Sequence, residues 1–366
     1  MSPPTFEKVS GTYIPDDIVF SILSKLPVKP LKRFACVRKS WSHLFENPIF
    51  MNMFRSNLVS KSDSRYDDDD DACLIFEWIL DPVKKLSFHT GEKFEKEIKL
   101  DLPPPYYDHT SSLCYAINGI FCIYDWIKPS KIVLWNPATN EVYVVPPNLP
   151  KSLPNGAANY FLYGFGYDHV SDDYKVIQFV HLQEGMCKTH DPFCEIYSLR
   201  SHSWRKLDVD IPIAYRSPFG SEVYLDGVCH WLRKINDKSD VLSFNMSNEV
   251  FFTTPLDMHG CLVVLNGSVA IISHYIGSTS FSISILGEIG VKESWTRLFD
   301  VGPLHSSCYP IATGKKGNIF FRKKGEKLKL VRFDLTTGVI DDIDVKGKGI
   351  VCDIKIYKKN LRRLKE

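Results

Sequence analysis

No Cys-x-x-Cys spacing occurs anywhere in this 366-residue sequence. That absence excludes the ordinary paired-ligand zinc modules and thioredoxin-like redox chemistry. An excess of one charge is also missing: 45 Lys and Arg stand against 43 Asp and Glu, a formal charge of +2. No chain-wide field therefore favours nucleic acid, an anionic membrane or an acidic ligand. Long apolar runs are lacking too. Cys261 to Ile272 is the longest, and Asn266-Gly267-Ser268 breaks it well short of the roughly 20 residues of a membrane helix. Met1 to Ser10 has no basic start followed by an apolar run, so no secretory leader is expected, and the expected location is the cytoplasm, the nucleus or both. In such a reducing compartment the 10 cysteines are expected to be small core residues.

What the chain does contain changes character near residue 65. Before it, Ile18, Ile22, Leu23 and Leu26 recur at helical spacing behind Pro15, Asp16 and Asp17, a favourable helix start. Pro27 ends that helix. Pro30 opens a second, in which Phe34, Val37, Trp41 and Leu44 follow at steps of three, four and three, and Asn47-Pro48 is expected to stop the pattern. A unit of about 40 residues buries too little surface to be comfortable alone, so its apolar stripe must pack on a partner or on the rest of the chain.

The order Ile14-Pro15-Asp16-Asp17-Ile18, Ile22-Leu23 to Leu26-Pro27, Leu31-Lys32-Arg33-Phe34, Cys36-Val37 and Trp41 closely resembles the F-box, from Tyr13 to about Phe54. The resemblance implies a small all-α head of three helices over 13–54 that docks on a Skp-type adaptor, and through it on a cullin and a RING subunit. It also implies that Pro15, Ile18, Leu23, Leu26, Pro27, Leu31 and Val37 are candidates for adaptor contact, while Phe34, Trp41 and Leu44 hold the helices together. Residues 1–12 are expected to be disordered. Residues 55–72, with five consecutive Asp, read as an acidic linker that buries nothing.

From Ala72 onward, short apolar or alternating runs separated by turn residues predict an all-β body. The runs group in fours. Five clear units begin near Asn118-Gly119, Tyr163, Val223, Leu262 and Pro310, and a weaker sixth spans Cys73 to Leu102 with a turn at Asp81-Pro82. Asn-Gly and Asp-Gly dipeptides suit tight hairpins because both residues tolerate positive φ. The spacing predicts a β-propeller-like body of about six four-stranded blades over 73–357, with Ile350 to Tyr357 able to close the ring and 358–366 left as a basic tail. Gly-Gly and Trp-Asp dipeptides are absent, so the marks of kelch and WD-repeat blades are lacking. A large two-sheet β-sandwich stays open as the alternative.

Leu134-Trp135-Asn136-Pro137-Ala138-Thr139-Asn140-Glu141, Gly164-Phe165-Gly166-Tyr167-Asp168, Asp173-Tyr174-Lys175-Val176, Ser203-Trp204-Arg205 and Gly227-Val228-Cys229-His230-Trp231 resemble the F-box-associated domain of plant F-box proteins. The two resemblances together imply a substrate-recognition subunit of a Skp-cullin-F-box ubiquitin ligase, with recognition of a ribonuclease by pollen S-locus relatives as a narrower version. An adaptor-independent scaffold or inhibitor binder is the rival reading.

Other candidates are weaker. The sequence holds no thiolate-bearing transfer domain and no RING ligand set, so the expected role is positioning a target, without catalysis and without cofactor or metal. His181, Cys187, His190 and Cys194 are the one close group of soft ligands, more readily read as an inter-strand loop. A basic patch, Lys315 to Lys329, could meet an acidic ligand or simply keep hairpins soluble. Lys151 to Tyr160, Leu182 to Phe193 and Asp210 to Ser221 are the candidate loops for an unknown protein substrate.

Overall fold

The computed structural model describes residues 14–26, 30–31, 33–34, 41, 43–60, 73–80, 83–90, 96–99, 103, 111–125, 131–148, 156–184, 188–189, 193–208, 222–235, 238–274, 278–304, 308–314, 317–323, 329–344, 350–361 and 363–364. The chain divides into two compact units, Met1–Ser60 and Lys61–Glu366. Residues 1–12 and 61–72 lie outside the described residues.

In the first unit, helix α1 covers Asp16–Leu23, a 3₁₀ turn covers Leu44–Glu46, and helix α2 covers Pro48–Ser60. Val19 and Leu23 of α1 are buried with Leu31, Leu44, Phe50, Met51 and Phe54. Phe20 meets Phe50 edge to face at 5.6 Å, and Phe50 stacks on Phe54 at 6.1 Å. Asn57 Nδ2 donates to Ser24 Oγ at 2.7 Å and ties the end of α1 to α2. At Asn47-Pro48 the 3₁₀ turn ends, with Asn47 extended, and the next helix begins. Asn47 Oδ1 accepts the N–H groups of Ile49 and Phe50 at 2.9 and 3.1 Å. Asn47 is thus a cap, and Pro48 takes the first helical position, where its missing N–H costs nothing. The last helix therefore carries the head past residue 54, to Ser60.

The second unit is a β-propeller of six four-stranded blades, which overturns the sandwich alternative. Blade 1 has Ile350–Tyr357 innermost, then Cys73–Leu80, Val83–Thr90 and Lys96–Lys99. Blade 2 has Ser111–Ile117, Ile120–Asp125, Ile132–Asn136 and Glu141–Val145. Blade 3 has Gly156–Asp168, Asp173–Glu184, Phe193–Ser198 and Ser203–Lys206, with Lys188–Thr189 added beside Asp173–Glu184. Blade 4 has Glu222–Leu225, Val228–Ile235, Lys238–Asn245 and Val250–Leu256. Blade 5 has Gly260–Leu265, Ser268–His274, Phe281–Leu286 and Trp295–Val301. Blade 6 has Cys308–Thr313, Asn318–Lys323, Lys329–Asp334 and Ile340–Asp344. The ring closes where Ile350–Tyr357 pairs antiparallel with Cys73–Leu80, Phe76 opposite Ile354.

Repeated turn chemistry builds the blades. The first hairpin turns at Asn118-Gly119, Asp226-Gly227 and Asn266-Gly267 hold both residues at positive φ, as a two-residue hairpin with the strand twist requires. Between the third and fourth strands a side chain caps the turn. Asn245 Oδ1 accepts from Ser247 and Asn248, and Asp334 Oδ1 accepts from Thr336 and Thr337. Asn136 Oδ1 does the same for Ala138 at 2.9 Å.

Close packing between blades explains the Gly-x-Gly motif of blade 3. A Cβ on Gly164 would fall 2.7 Å from the Trp231 ring, and one on Gly166 would fall 2.3 Å from the Met246 methyl. Two motifs distant in sequence thus meet face to face. Buried beside them, Lys175 Nζ donates to Asp168 Oδ2 at 2.8 Å, to Glu249 Oε1 at 3.0 Å and to the Met246 carbonyl at 2.8 Å. Ser247 Oγ donates to Asp168 Oδ1 at 2.5 Å. Burial alone would raise the Asp168 carboxyl, but the bonds from Lys175, Ser171, Ser247 and the Val170 N–H outweigh it and hold the group well below the usual carboxylate range.

The segment after Tyr357 is not a free tail. Asn360 Nδ2 donates to the Asn118 carbonyl at 2.7 Å, and Asn136 Nδ2 donates to the Asn360 carbonyl at 2.9 Å. Leu364 N–H donates to Glu141 Oε2 at 2.8 Å, and its side chain joins the core of blades 2 and 3 beside Ile117, Phe165 and Tyr197. The basic composition of 358–366 hid one leucine and one asparagine that dock the segment.

Lys175→Met leaves Asp168 buried without its cation, so unfolding by urea should show a loss of about 3–5 kcal/mol, of which Asp168→Asn in the same chain restores a part. A second expectation concerns His230, whose Nδ1 lies 2.8 Å from Ser243 Oγ and whose imidazole is pushed by burial down to about 4 from an ordinary 6.5. Between these values the unfolded chain takes up a proton that the folded chain refuses. Stability should therefore fall as pH drops from 6.5 to 4, by up to about 3 kcal/mol, and level off below. His230→Asn should flatten that slope in urea titrations at pH 7, 5.5 and 4.5.

Candidate protein-interaction surfaces

Helix α1 is apolar on both sides. Val19 and Leu23 turn inward, while Ile14, Ile18 and Ile22, spaced four apart, are 51%, 48% and 55% exposed. At 3.6 residues per turn Ile18 and Ile22 share one face of the helix, and Ile14, just ahead of its cap at Pro15, adds a third exposed isoleucine. Burying three isoleucines fully stabilises by roughly 1.5–3 kcal/mol each, so an exposed row of them favours a covering partner. Ile49 and Phe34 are also exposed, and Phe34 meets Trp41 edge to face at 6.1 Å.

The seven adaptor-contact candidates fall into different environments. Pro15 and Ile18 are exposed, Leu26 is half-buried, and Leu23 and Leu31 are buried inside the head. Pro27 and Val37 lie outside the described residues. The single face expected for Ile18, Ile22, Leu23 and Leu26 is thus corrected: Leu23 packs inward with Val19 while Ile18 and Ile22 face water. Sequence reasoning left Val19 out of the core, and it did not single out Ile14 and Ile22 as exposed. The four-residue spacing of the isoleucines was the available signal.

On the propeller, strand direction sorts the connections between two ends. First hairpin turns and the capped turns share one end. At the other end lie the chain ends that lead into the second-to-third-strand connections and the crossings between blades, among them Gly156 and Glu184. Two of the three candidate substrate segments are corrected in kind. Gly156–Asp168 and Asp173–Glu184 form one long hairpin, Gly156 opposite Glu184, and Lys188 and Thr189 pair with Glu184 and Gln183. Lys151 to Tyr160 and Leu182 to Phe193 are therefore partly strand. The third, 210–221, lies outside the described residues.

The remaining candidates do not assemble into sites. Cys194 is buried, its thiol pushed by burial up to about 12, and pairs across the sheet with Phe179. Cys187 and His190 lie outside the described residues, and no group of three or more metal-ligating side chains occurs among the described residues. Within the basic patch, Lys323 Nζ is held by Asp342 Oδ2 at 2.7 Å, and Arg322 sits over the Tyr309 ring. Lys315, Lys316, Lys324 and Lys327 lie outside the described residues. Glu195 is buried, accepting from Asn148 Nδ2 at 2.6 Å and Gln178 Nε2 at 3.1 Å. Burial raises its carboxyl above the ordinary value despite the Asn148 bond. The crevice beside it, lined by Pro146, Pro147, Asn148, Gln178 and Trp204, is too narrow to admit a bound molecule. Among the described residues no helix is long and apolar enough to cross a membrane.

Comparison with known proteins agrees with this architecture. Residues 82–358 match the model of the F-box associated beta propeller domain. The chain is 24% identical to the F-box protein CPR1 of Arabidopsis thaliana over 320 residues, 79% of this chain and 73% of that protein. It is 26% identical to an F-box/kelch-repeat protein of the same plant over 336 residues, 85% of each. It is 28% identical to a putative F-box protein, also from that plant, over 252 residues, 68% of this chain and 61% of the other. Among solved structures, a chain of a nidogen/laminin complex aligns with a TM-score of 0.46 at 13% identity, over 79% of this chain and 99% of that one, a likeness too slight to bear on function. With its propeller matched almost end to end and these three relatives F-box proteins, the chain belongs to the plant F-box proteins that carry an F-box-associated β-propeller domain.

Proposed function

We propose that the protein is the substrate-recognition subunit of a Skp-cullin-F-box ubiquitin ligase. The head, read as an F-box of helical type, docks on a Skp-type adaptor, and through it on the cullin and RING subunits. The observation that carries the reading is the exposed stripe Ile14, Ile18 and Ile22 on a small unit separate from the propeller. Pro15 and Leu26 border it, while Leu23 and Leu31 support it from beneath by packing.

The propeller contributes selection. Its connections at the end opposite the tight turns join the strands of a closed ring, and connections carried on such a scaffold are the usual place for recognition. The chain supplies no catalytic group and needs no cofactor: holding a target protein near a charged conjugating enzyme raises the effective concentration of the reacting pair. The proposed compartments are the cytoplasm and nucleus, where those partners work. Recognition of a ribonuclease is one narrower version of the same role.

A pull-down with a purified Skp-type adaptor tests the reading. Retention of the full chain is expected, and Ile18→Asp with Ile22→Asp should weaken it by about tenfold or more, because each places a charge in a desolvated contact. Melting of the variant should be unchanged, since both side chains face water. No retention of the full chain would favour an adaptor-independent scaffold instead.

A further inference from the structure

The contact between blades 4 and 5 is aliphatic. Val241, Leu256, Leu262, Val269, Ile271 and Leu286 form one buried cluster, and Met258 packs against it. One patch breaks the pattern. Register places Ser284 opposite Ile271 and Ser282 opposite Ser273, so three serines share the sheet face of blade 5 that carries Ile271. Ser273 and Ser284 are buried.

Buried hydroxyls need acceptors. Ser273 Oγ lies 2.8 Å from Ser282 Oγ and 3.4 Å from the Ser282 carbonyl. Ser284, 2% exposed, has a poorer partner: among the described residues its hydroxyl donates to the sulfur of Met258, at 3.8 Å. Ser273 Oγ donates to the same sulfur, also at 3.8 Å. A thioether is a weak acceptor, and this distance is about 1 Å longer than a hydroxyl–oxygen bond. An oxygen atom carried on the sulfur would close that gap. Met258 stands in the crossing between Leu256 and Gly260 and is half-buried, whereas Met51 and Met246 are buried.

We propose that Met258 is an oxidation site for peroxides, and that Ser273 and Ser284 receive the sulfoxide it forms. The sulfur lone pair attacks one peroxide oxygen, and the O–O bond breaks as the S–O bond forms. With hydrogen peroxide, the displaced hydroxide takes the proton of the transferred oxygen and leaves as water, so the thioether is oxidised and the peroxide reduced. A sulfoxide ordinarily disrupts a core, because it turns an apolar side chain polar. Here the new oxygen gives two hydroxyls a strong acceptor in place of a weak one and ties the crossing more firmly to blade 5. Methionine sulfoxide reductases make such a change reversible. The proposal concerns the propeller alone and stands or falls separately from the adaptor reading.

The probe is dilute hydrogen peroxide on the full chain, with peptide mass spectrometry reading each methionine apart from the nearby Cys261. Met258 should take up oxygen about tenfold faster than Met51 or Met246. Circular dichroism melting then compares each chain with its own unoxidised form. Oxidation should move the melting of the native chain by less than about 1 °C, and that of Ser284→Ala downward by about 2 °C or more. Met258→Leu, of similar volume, measures what the other methionines and the cysteines contribute, and that contribution is subtracted. Oxidation of Met258 no faster than that of Met246, or an equal fall in melting with and without the Ser284 hydroxyl, overturns the proposal.

Discussion

The pairing of Ile350–Tyr357 with Cys73–Leu80 is the constraint on which the propeller depends. It joins residues almost 280 positions apart, so blade 1 is incomplete until the last strand is in place. The entropy of closing so long a loop must be met before that pairing returns anything. Once it forms, no blade has a neighbourless side, and all six edges of the inner ring are shielded. Lys358 to Leu364 extends the closure, because Asn360 and Leu364 fasten the segment to blade 2 across the seam from blade 1.

Within the ring, neighbouring blades are specified by contacts that only certain residues permit. Trp231 and Met246 of blade 4 lie against the bare backbone of Gly164 and Gly166 in blade 3. Lys175 then reaches from blade 3 into the turn after Asn245 and satisfies a carbonyl and a carboxylate there. A buried ammonium is costly unless all its donors are engaged. Here three acceptors engage it, which fixes one relative placement of the two blades.

Much of this was legible in the chain. Asn118-Gly119, Asp226-Gly227 and Asn266-Gly267 announced hairpins through their tolerance of positive φ, and the four-run spacing announced the blades. Local chemistry of this kind is written in neighbouring residues. The rest was not, because it depends on what meets what in space. Asn47-Pro48 ends one helical turn as expected, but that it also caps a further helix shows only in the donors of Ile49 and Phe50. Leu23 and Ile22 are adjacent aliphatic residues, yet one is core and the other surface, a distinction set by where α2 lies. Leu364 sits among lysines and arginines, and composition gave no hint that it is buried. The strand character of Gly156–Tyr160 was hidden by small and polar residues that form no apolar alternation.

Two surfaces with different logic result: an aliphatic stripe on a small helical unit, and a rigid ring that displays loops. The most direct measurement of whether they divide the labour is hydrogen-deuterium exchange of the full chain with and without a purified Skp-type adaptor. The account predicts new protection confined to peptides covering Ile14 to Leu26, with the propeller strands unchanged. Protection appearing in the propeller, with the α1 peptides unaffected, would contradict it.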